Sequence, residues 1–588
     1  MIFRYYQFAW ECDNYILFSM KNIKSSSAMT KPFVLIYLIF FFAGTVLFPG
    51  CFSEGQSWVS SENTTRGLTE FGTNMSPSQG DWLITRLPAE MPHLNPITST
   101  DAYSSLVLAW IFDGLLDRNP QTLELIPRVA NKWEVSEDHL SYTFYLRTDV
   151  CFSDGHPLTA KDVKFTFDKL MDPTTDAPHL KNYYMDVESC EVIDDYTVRY
   201  HCKKPYYQHA VMLGLLEILP EHVYGQGDFN NHPNNRKPIG SGPYILSEWQ
   251  TGLQLVLERN PNYWRKKEGQ PYFDRIVYQI ILDDNASFLK LRRGDLDYMA
   301  IRPEDWVRRG QSETFQKQFN MFIYPRPAYN YIGWNTRNPV LKEKTVRHAL
   351  TMLLNRQQII ERLYFGMAEP IDSPFMPGTP EYHSEIKRWN YNPEEAKLLL
   401  DRSGWIDHNS DGIRDKEGKD LAFEIMTTNS NPIAEKILTV YQEDLKRAGI
   451  NMQIRQMEWA SLLERVDARN FDAVLMGWQM PPDPDPYQVW HSSQAEKGSN
   501  YVGFVNKEAD RLIEQARVSF DRQERIQLYR RFQEIVNEEQ PYTFLMAPKA
   551  IVAVDKRIHG IRVYPFGIYE KEWFVPTHLQ RYVHVKEN

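Results

Sequence analysis

At 588 residues the chain is longer than one hydrophobic core supports, so two to four domains are expected. A hydrophobic share of 42% with 24% charged residues is that of a globular protein, and 66 Lys and Arg against 76 Asp and Glu, with no basic block, argue against a nucleic-acid partner. The aromatic share of 13% is high, which suits either an aromatic-rich core or a cleft that wraps an organic ligand.

In chain order, residues 32–50 are uncharged and mostly Phe, Leu, Ile and Val, follow Lys31, and end in L-F-P-G before Cys51. A short basic flank, an apolar run and small residues before a cysteine resemble a bacterial lipoprotein signal, cleaved so that the Cys51 thiol carries lipid. Phe48 departs from the Leu preferred three residues before the cysteine, and the alternative is an uncleaved anchor helix. Both place the body outside the cytoplasm. Met29 is a second candidate start, since residues 1–28 precede this signal. Residues 1–51 are thus a leader, and 52–80, rich in Ser, Thr, Gly and Asn, are expected to be a flexible tether.

Order is expected from Asp81. The segment W-L-I-T-R-L-P-A-E-M-P-H-L-N-P-I from Trp82 reads as a short strand followed by a turn-rich loop, Tyr103 to Leu116 has helical spacing, and Tyr142 to Arg147 alternates as a strand. Phe152-Ser153-Asp154-Gly155 makes a tight turn, and Thr159 caps a helix whose Val163, Phe165, Phe167 and Leu170 face a core. Cys151, Cys190 and Cys202 are an odd set and imply no disulfide framework. A two-residue turn at Asp194-Asp195 would put Cys190 opposite Arg199 instead of Cys202, which argues against a bridge between those two cysteines.

The order strand, D-G-H-P-L-T-A-K-D-V (154–163), aromatic helix resembles the hallmark segment of the oligopeptide and dipeptide-binding family, the extracellular solute-binding proteins of ABC peptide importers. Pro238-Ile239-Gly240-Ser241-Gly242-Pro243-Tyr244, the run E-R-N-P-N-Y-W ending at Trp264, L-R-R-G-D-L-D at 291–297, Tyr331-Ile332-Gly333-Trp334-Asn335 and Val346 to Arg356 resemble further family landmarks. The glycines of the first permit a tight re-entry between lobes. The likeness covers roughly residues 81 to 580. It implies an α/β periplasmic-binding-protein type II fold of two lobes with an inserted third domain and the ligand buried between the lobes. Residues 81–111, 231–327 and 547–588 would form lobe I, 112–230 the inserted domain and 328–546 lobe II.

Asp407, Asn409, Asp411, Gly412 and Asp415 occupy positions of a calcium loop, but Gly418 stands where a bidentate Glu belongs, so a solvated turn is expected and no metal site. Leu438 to Ala448 reads as an amphipathic helix, Asn451 to Gln456 as a strand, and Glu508 to Asn537 as a helix pair ended by Gln540-Pro541. The buried-strand run Ala473 to Met476 leads into G-W-Q-M-P-P-D-P-D-P-Y at 477–487, where four prolines stiffen the chain at a strand end. Composition alone leaves that stretch as either a surface loop or a binding loop.

No nucleophile elbow, H-E-x-x-H, C-x-x-C or phosphate loop is present, so neither enzyme activity nor a cofactor is expected, with a secreted hydrolase as the alternative of another class. What the resemblance implies is a lipid-anchored monomeric receptor that binds a peptide and hands it to ABC permease and ATPase subunits. A metal chelate or oligosaccharide is the alternative solute. In the family an Asp binds the ligand's amine, and the corresponding position here is Met480, so Asp483 or Asp485 becomes the candidate replacement. Trp478, Tyr501, Tyr331 and Trp334 are candidate aromatic walls of the cleft, or else core residues.

Overall fold

A computed structural model describes residues 76–582 apart from residue 430. Met1, Met29, the apolar run 32–50 and Cys51 lie outside the described residues, as does the tether up to residue 75. The last tether residues are already tied to the body. Ser78 Oγ donates to Val575 O at 2.8 Å and Gly80 N to Tyr272 O at 2.9 Å.

One 12-stranded mixed sheet organises the chain. On one side lie Tyr244–Gln250, Gln254–Arg259, Arg275–Ile280, Trp82–Leu87 and Tyr298–Ala300, in that order. On the other lie Ala328–Trp334, Ala473–Gln479, Ala422–Thr428 and Asn451–Met457. The 14-residue strand Tyr542–Asp555 joins them. Its first half pairs with Ala328–Trp334 (Gly333 opposite Tyr542, Tyr331 opposite Phe544), and its second half with Phe319–Pro325 (Phe322 opposite Val552). Pro548, which has no N–H to give a ladder, sits where the strand changes partners, and its carbonyl accepts from Arg326 N at 3.0 Å.

The cores respect this division. Two clusters, around Ile332, Trp334 and Leu350 and around Tyr329, Tyr331 and Trp490, draw only on residues 329–547. The clusters on the other side, around Leu83, Phe144 and Trp573 and around Ile84, Phe288 and Ala553, have no buried member from that span. The fold is thus two α/β lobes strung on a shared strand.

The inserted third domain is built on an antiparallel sheet in the order Ala130–Val135, Ser141–Leu146, Thr197–Cys202, Val187–Asp194. Thr159 and Asp162 form a capping box at the start of helix Ala160–Met171, and Val163, Phe167 and Leu170 are buried at i, i+4 and i+7. Gly155, at φ +90°, closes the expected tight turn by donating to Phe152 O at 2.9 Å. The hairpin turns one residue later than expected, at Asp195-Tyr196, and with an irregularity between Val192 and Asp194 this sets Glu191, and not the expected Cys190, opposite Arg199. Cys190 therefore faces Tyr200 and Cys202 faces Val187; both are free thiols, pushed up to about 12 by burial.

Re-entry from the inserted domain runs over the end of helix Ala102–Ile111. A Cβ at Gly240 would lie 2.1 Å from Ile111 O, and at Gly242 2.6 Å from Ile111 C and Trp110 O. The expected amphipathic helix at 438–448 is longer, Pro432–Arg447, because Asn431 supplies an N-cap and Pro432 the first-turn position. The helix pair is Lys507–Val518 and Arg522–Glu539, ended at Gln540 in a left-handed conformation, φ +44°.

Candidate functional site

Strand Ala473–Gln479 runs antiparallel to Ala328–Trp334, with Trp478 opposite Tyr329 and Met476 opposite Tyr331. Side chains alternate faces along a strand, so Tyr329 and Tyr331 share one face and Trp334 must take the other. The rings follow that rule. Tyr542, Tyr331, Trp478 and Tyr501 form a column of near-parallel planes, with successive centroids at 3.8, 6.3 and 6.1 Å. Trp334 lies on the opposite face, fully buried, its indole N–H donating to Thr543 Oγ1 at 3.0 Å. It is a core residue and not a cleft wall. Tyr331 is 1% exposed and backs the wall without lining it.

Past Gln479 the chain enters the proline loop. Met480 N donates to Pro327 O at 2.8 Å, which fixes the loop beside the strand crossing between the lobes. Met480, Pro484, Asp485 and Pro486 then line a pocket with Trp478, Tyr329, Phe375, Val489 and Trp490. Its walls are mostly apolar, with Asp485 as the single carboxylate. Tyr329, Phe375 and Trp490 were not expected here. Tyr329 was legible, lying two residues before Tyr331 and so on the same face. Phe375 and Trp490 reach the pocket through tertiary packing.

Both candidate amine-binding carboxylates already have partners. Asp483 is ion-paired with Arg118. Asp485 accepts from Tyr206 Oη at 2.7 Å and lies 3.1 Å from Arg517 Nε. Burial alone would pull the Arg517 guanidinium down, but the Asp485 carboxylate together with the Tyr206 and Tyr487 hydroxyls outweighs it and holds it above its ordinary value. Arg517 lies over the rings of Tyr206 and Tyr487, at 4.4 and 4.3 Å from their centroids. Burial and the same carboxylate raise the Tyr206 hydroxyl. Tyr501 ends the aromatic column beside the Arg469 guanidinium, 5.2 Å from its ring centroid, and is not a lining residue of the pocket. Of the seven expected ligand contacts, the structure brings Trp478, Met480 and Asp485 to the pocket wall and Asp483 next to it.

The acidic turn at 407–415 is exposed and bonded internally, Asp407 accepting from Asp411 N at 3.2 Å and Gly412 N at 3.0 Å.

Two α/β lobes strung on one strand, an inserted third domain and an aromatic pocket beside the proline loop define a two-lobed solute-binding receptor. The model of the bacterial extracellular solute-binding proteins, family 5 (middle), matches residues 124–500. The chain belongs to this family of extracellular substrate-binding proteins. It is 34% identical over 502 residues to the oligopeptide-binding protein AppA of Bacillus subtilis, covering 83% of this chain and 90% of that one. It is 27% identical to the dipeptide-binding protein of Escherichia coli, covering 79% and 88%. Among solved structures, that of Bacillus subtilis AppA in complex with a nonapeptide superposes with a TM-score of 0.72 at 32% identity, covering 85% of this chain and all of the other. NikZ of Campylobacter jejuni in complex with Ni(L-His) also gives 0.72, at 26% identity, covering 84% and 99%.

Proposed function

We propose that the chain captures peptides of oligopeptide length between its lobes and delivers them to an ABC permease, and that Cys51 anchors it to the membrane by lipid. The observation that supports this best is the pocket wall: an aromatic sheet face, Tyr329 and Trp478, meets the stiff loop 480–486, which Tyr207 and Gln208 contact from outside that lobe. Such a site grips a ligand by shape and exposed backbone, which tolerates varied side chains. Likeness to AppA over 90% of its length points to long peptides over dipeptides. We assign lobe I to residues 81–111, 231–327 and 547–588, the inserted domain to 112–230 and lobe II to 328–546. The change of partners along Tyr542–Asp555 supports that division.

The test is native mass spectrometry of the body from Ser53 onward, purified without denaturation. A heterogeneous set of co-purifying peptides is expected. One sugar or nickel-chelate mass would overturn the peptide reading in favour of another solute, the second being the solute class of the NikZ structure. Turnover of an added peptide would favour a hydrolase. For the anchor, Cys51→Ser is expected to move the protein from the membrane fraction to the soluble one; retention in the membrane would leave an uncleaved helix as the tie.

A further inference from the structure

The aspartates of the proline loop are held by residues far away in the chain, and all of these except Arg517 belong to the inserted domain. Tyr207 Oη donates to Pro484 O at 2.7 Å, Gln208 Nε2 to Asp483 O at 3.0 Å, and Tyr206 Oη to the Asp485 carboxylate. Arg118 completes the set through Asp483. The three side chains of residues 206–208 also brace one another: Tyr206 Oη is 3.0 Å from Gln208 Oε1, and Gln208 Nε2 donates to Tyr207 Oη at 2.8 Å. Tyr207 N donates to Arg517 O at 3.0 Å, and Arg525 lies over the Tyr207 ring at 4.2 Å. A second contact across the same junction stacks His139 on Phe520 at 3.5 Å.

The loop is therefore sandwiched. One side, through Met480, Pro484, Asp485 and Pro486, lines the pocket. The other is gripped by the turn 206–208 and by Arg118. Three consecutive residues, 483 to 485, are each bonded to the inserted domain, two through carboxylates and two through backbone carbonyls.

We propose that the loop is the clasp of the closed receptor and that Arg118, Tyr206, Tyr207 and Gln208 are positioning residues that set how long the ligand is retained. They act on the pocket through the loop and do not touch the ligand. Asp483 and Asp485 then serve closure, and the ligand's amine is not their partner. Opening must break an ion pair with both partners partly buried and several aligned hydrogen bonds together, so the effect falls on the rate of release more than on capture. The inference rests on the pocket being the peptide site.

The test compares Arg118→Gln, Tyr207→Phe and the double variant with the parent protein, reading association and dissociation rates for one nonapeptide in free-amine and N-acetylated forms. About a tenfold faster dissociation is expected in the double variant, with association little changed, equal for both peptides, and partly restored by Arg118→Lys. Unchanged dissociation, or a loss confined to the free-amine peptide, would overturn the clasp. If the parent binds neither peptide, the peptide reading fails by itself. The clasp is then read from small-angle scattering of the proteins as purified, where a larger radius of gyration in the double variant sustains it and an unchanged one sinks it.

Discussion

His209 is fully buried beside the clasp, with both ring nitrogens unbonded, packed edge-on against Tyr142 and Tyr206. Burial lowers it to about 4, against a lift from Asp186 and a further push down from Arg517. The unfolded chain takes up this proton near the ordinary histidine value and the folded chain only near 4, so the unfolded state binds more protons between those limits. Stability is therefore complete above about pH 6.5 and is lost as pH falls towards 4. Relative to His209→Phe, which keeps the ring without the titration, the parent is expected to lose up to about 3 kcal/mol between pH 7 and pH 4, read from urea midpoints at several pH values. An unchanged gap would mean that the protonated ring finds solvent. Trp478 and Met480 were legible because a buried-strand run leads into them, Trp478 lying within the strand and Met480 just past its end. Of the two readings open for Trp334, core is the one the structure gives, since it is three places from Tyr331, an odd step that reverses the strand face. Asp483 and Asp485 were legible as residues of the loop beside the strand, but their partners Arg118 and Arg517 are set by tertiary structure.

At the scale of elements, short-range pattern served well wherever a segment's own chemistry fixed its shape. The capping box at Thr159, the tight turn at Gly155 and the strand before the proline loop all depend on residues within a few places of one another. The hairpin turn was misplaced by one residue because the irregularity at Val192 to Asp194 is a tertiary adjustment that leaves no mark in the alternation. The glycine-rich segment 240–244 was legible as a tight passage, and the structure supplies the cause. Gly242 N donates to Ile111 O at 2.8 Å, and both Gly240 and Gly242 face the backbone at the end of helix Ala102–Ile111, which cannot yield as a side chain can. Gly242→Ala is accordingly expected to cost about 1–3 kcal/mol, whereas Gly252→Ala has open space but a left-handed backbone, φ +74°, and is expected to cost about 1 kcal/mol. Denaturant titration of the two variants side by side checks the order, and equal costs would show that the helix end shifts to admit a methyl group.

For the whole molecule, the decisive fact is that two hydrophobic cores meet along a single strand. The side carrying Trp82–Leu87 is held together by a buried ion cluster. Arg557, 4% exposed, pairs with Asp81 and, at 2.6 Å, with Asp297, while Arg581 reaches Asp555 at 2.8 Å. Asp81 also accepts from the backbone of Arg581 and Tyr582, each at 3.0 Å, so the first and last described parts of the chain close on one carboxylate. Burial raises Asp297 even against the Arg557 guanidinium, which shows how much these carboxylates need their cation. Arg557→Met removes the cation and leaves Asp81 and Asp297 buried together, a loss of about 3–5 kcal/mol from that lobe. The clusters within 329–547 contain none of these residues and should keep their own stability. Calorimetry is therefore expected to show the variant melting in two steps, the lower one shifted down and the upper one at the parent's position. A single transition displaced as a whole would mean instead that strand Tyr542–Asp555 couples the lobes so tightly that neither half of the sheet can unfold without the other.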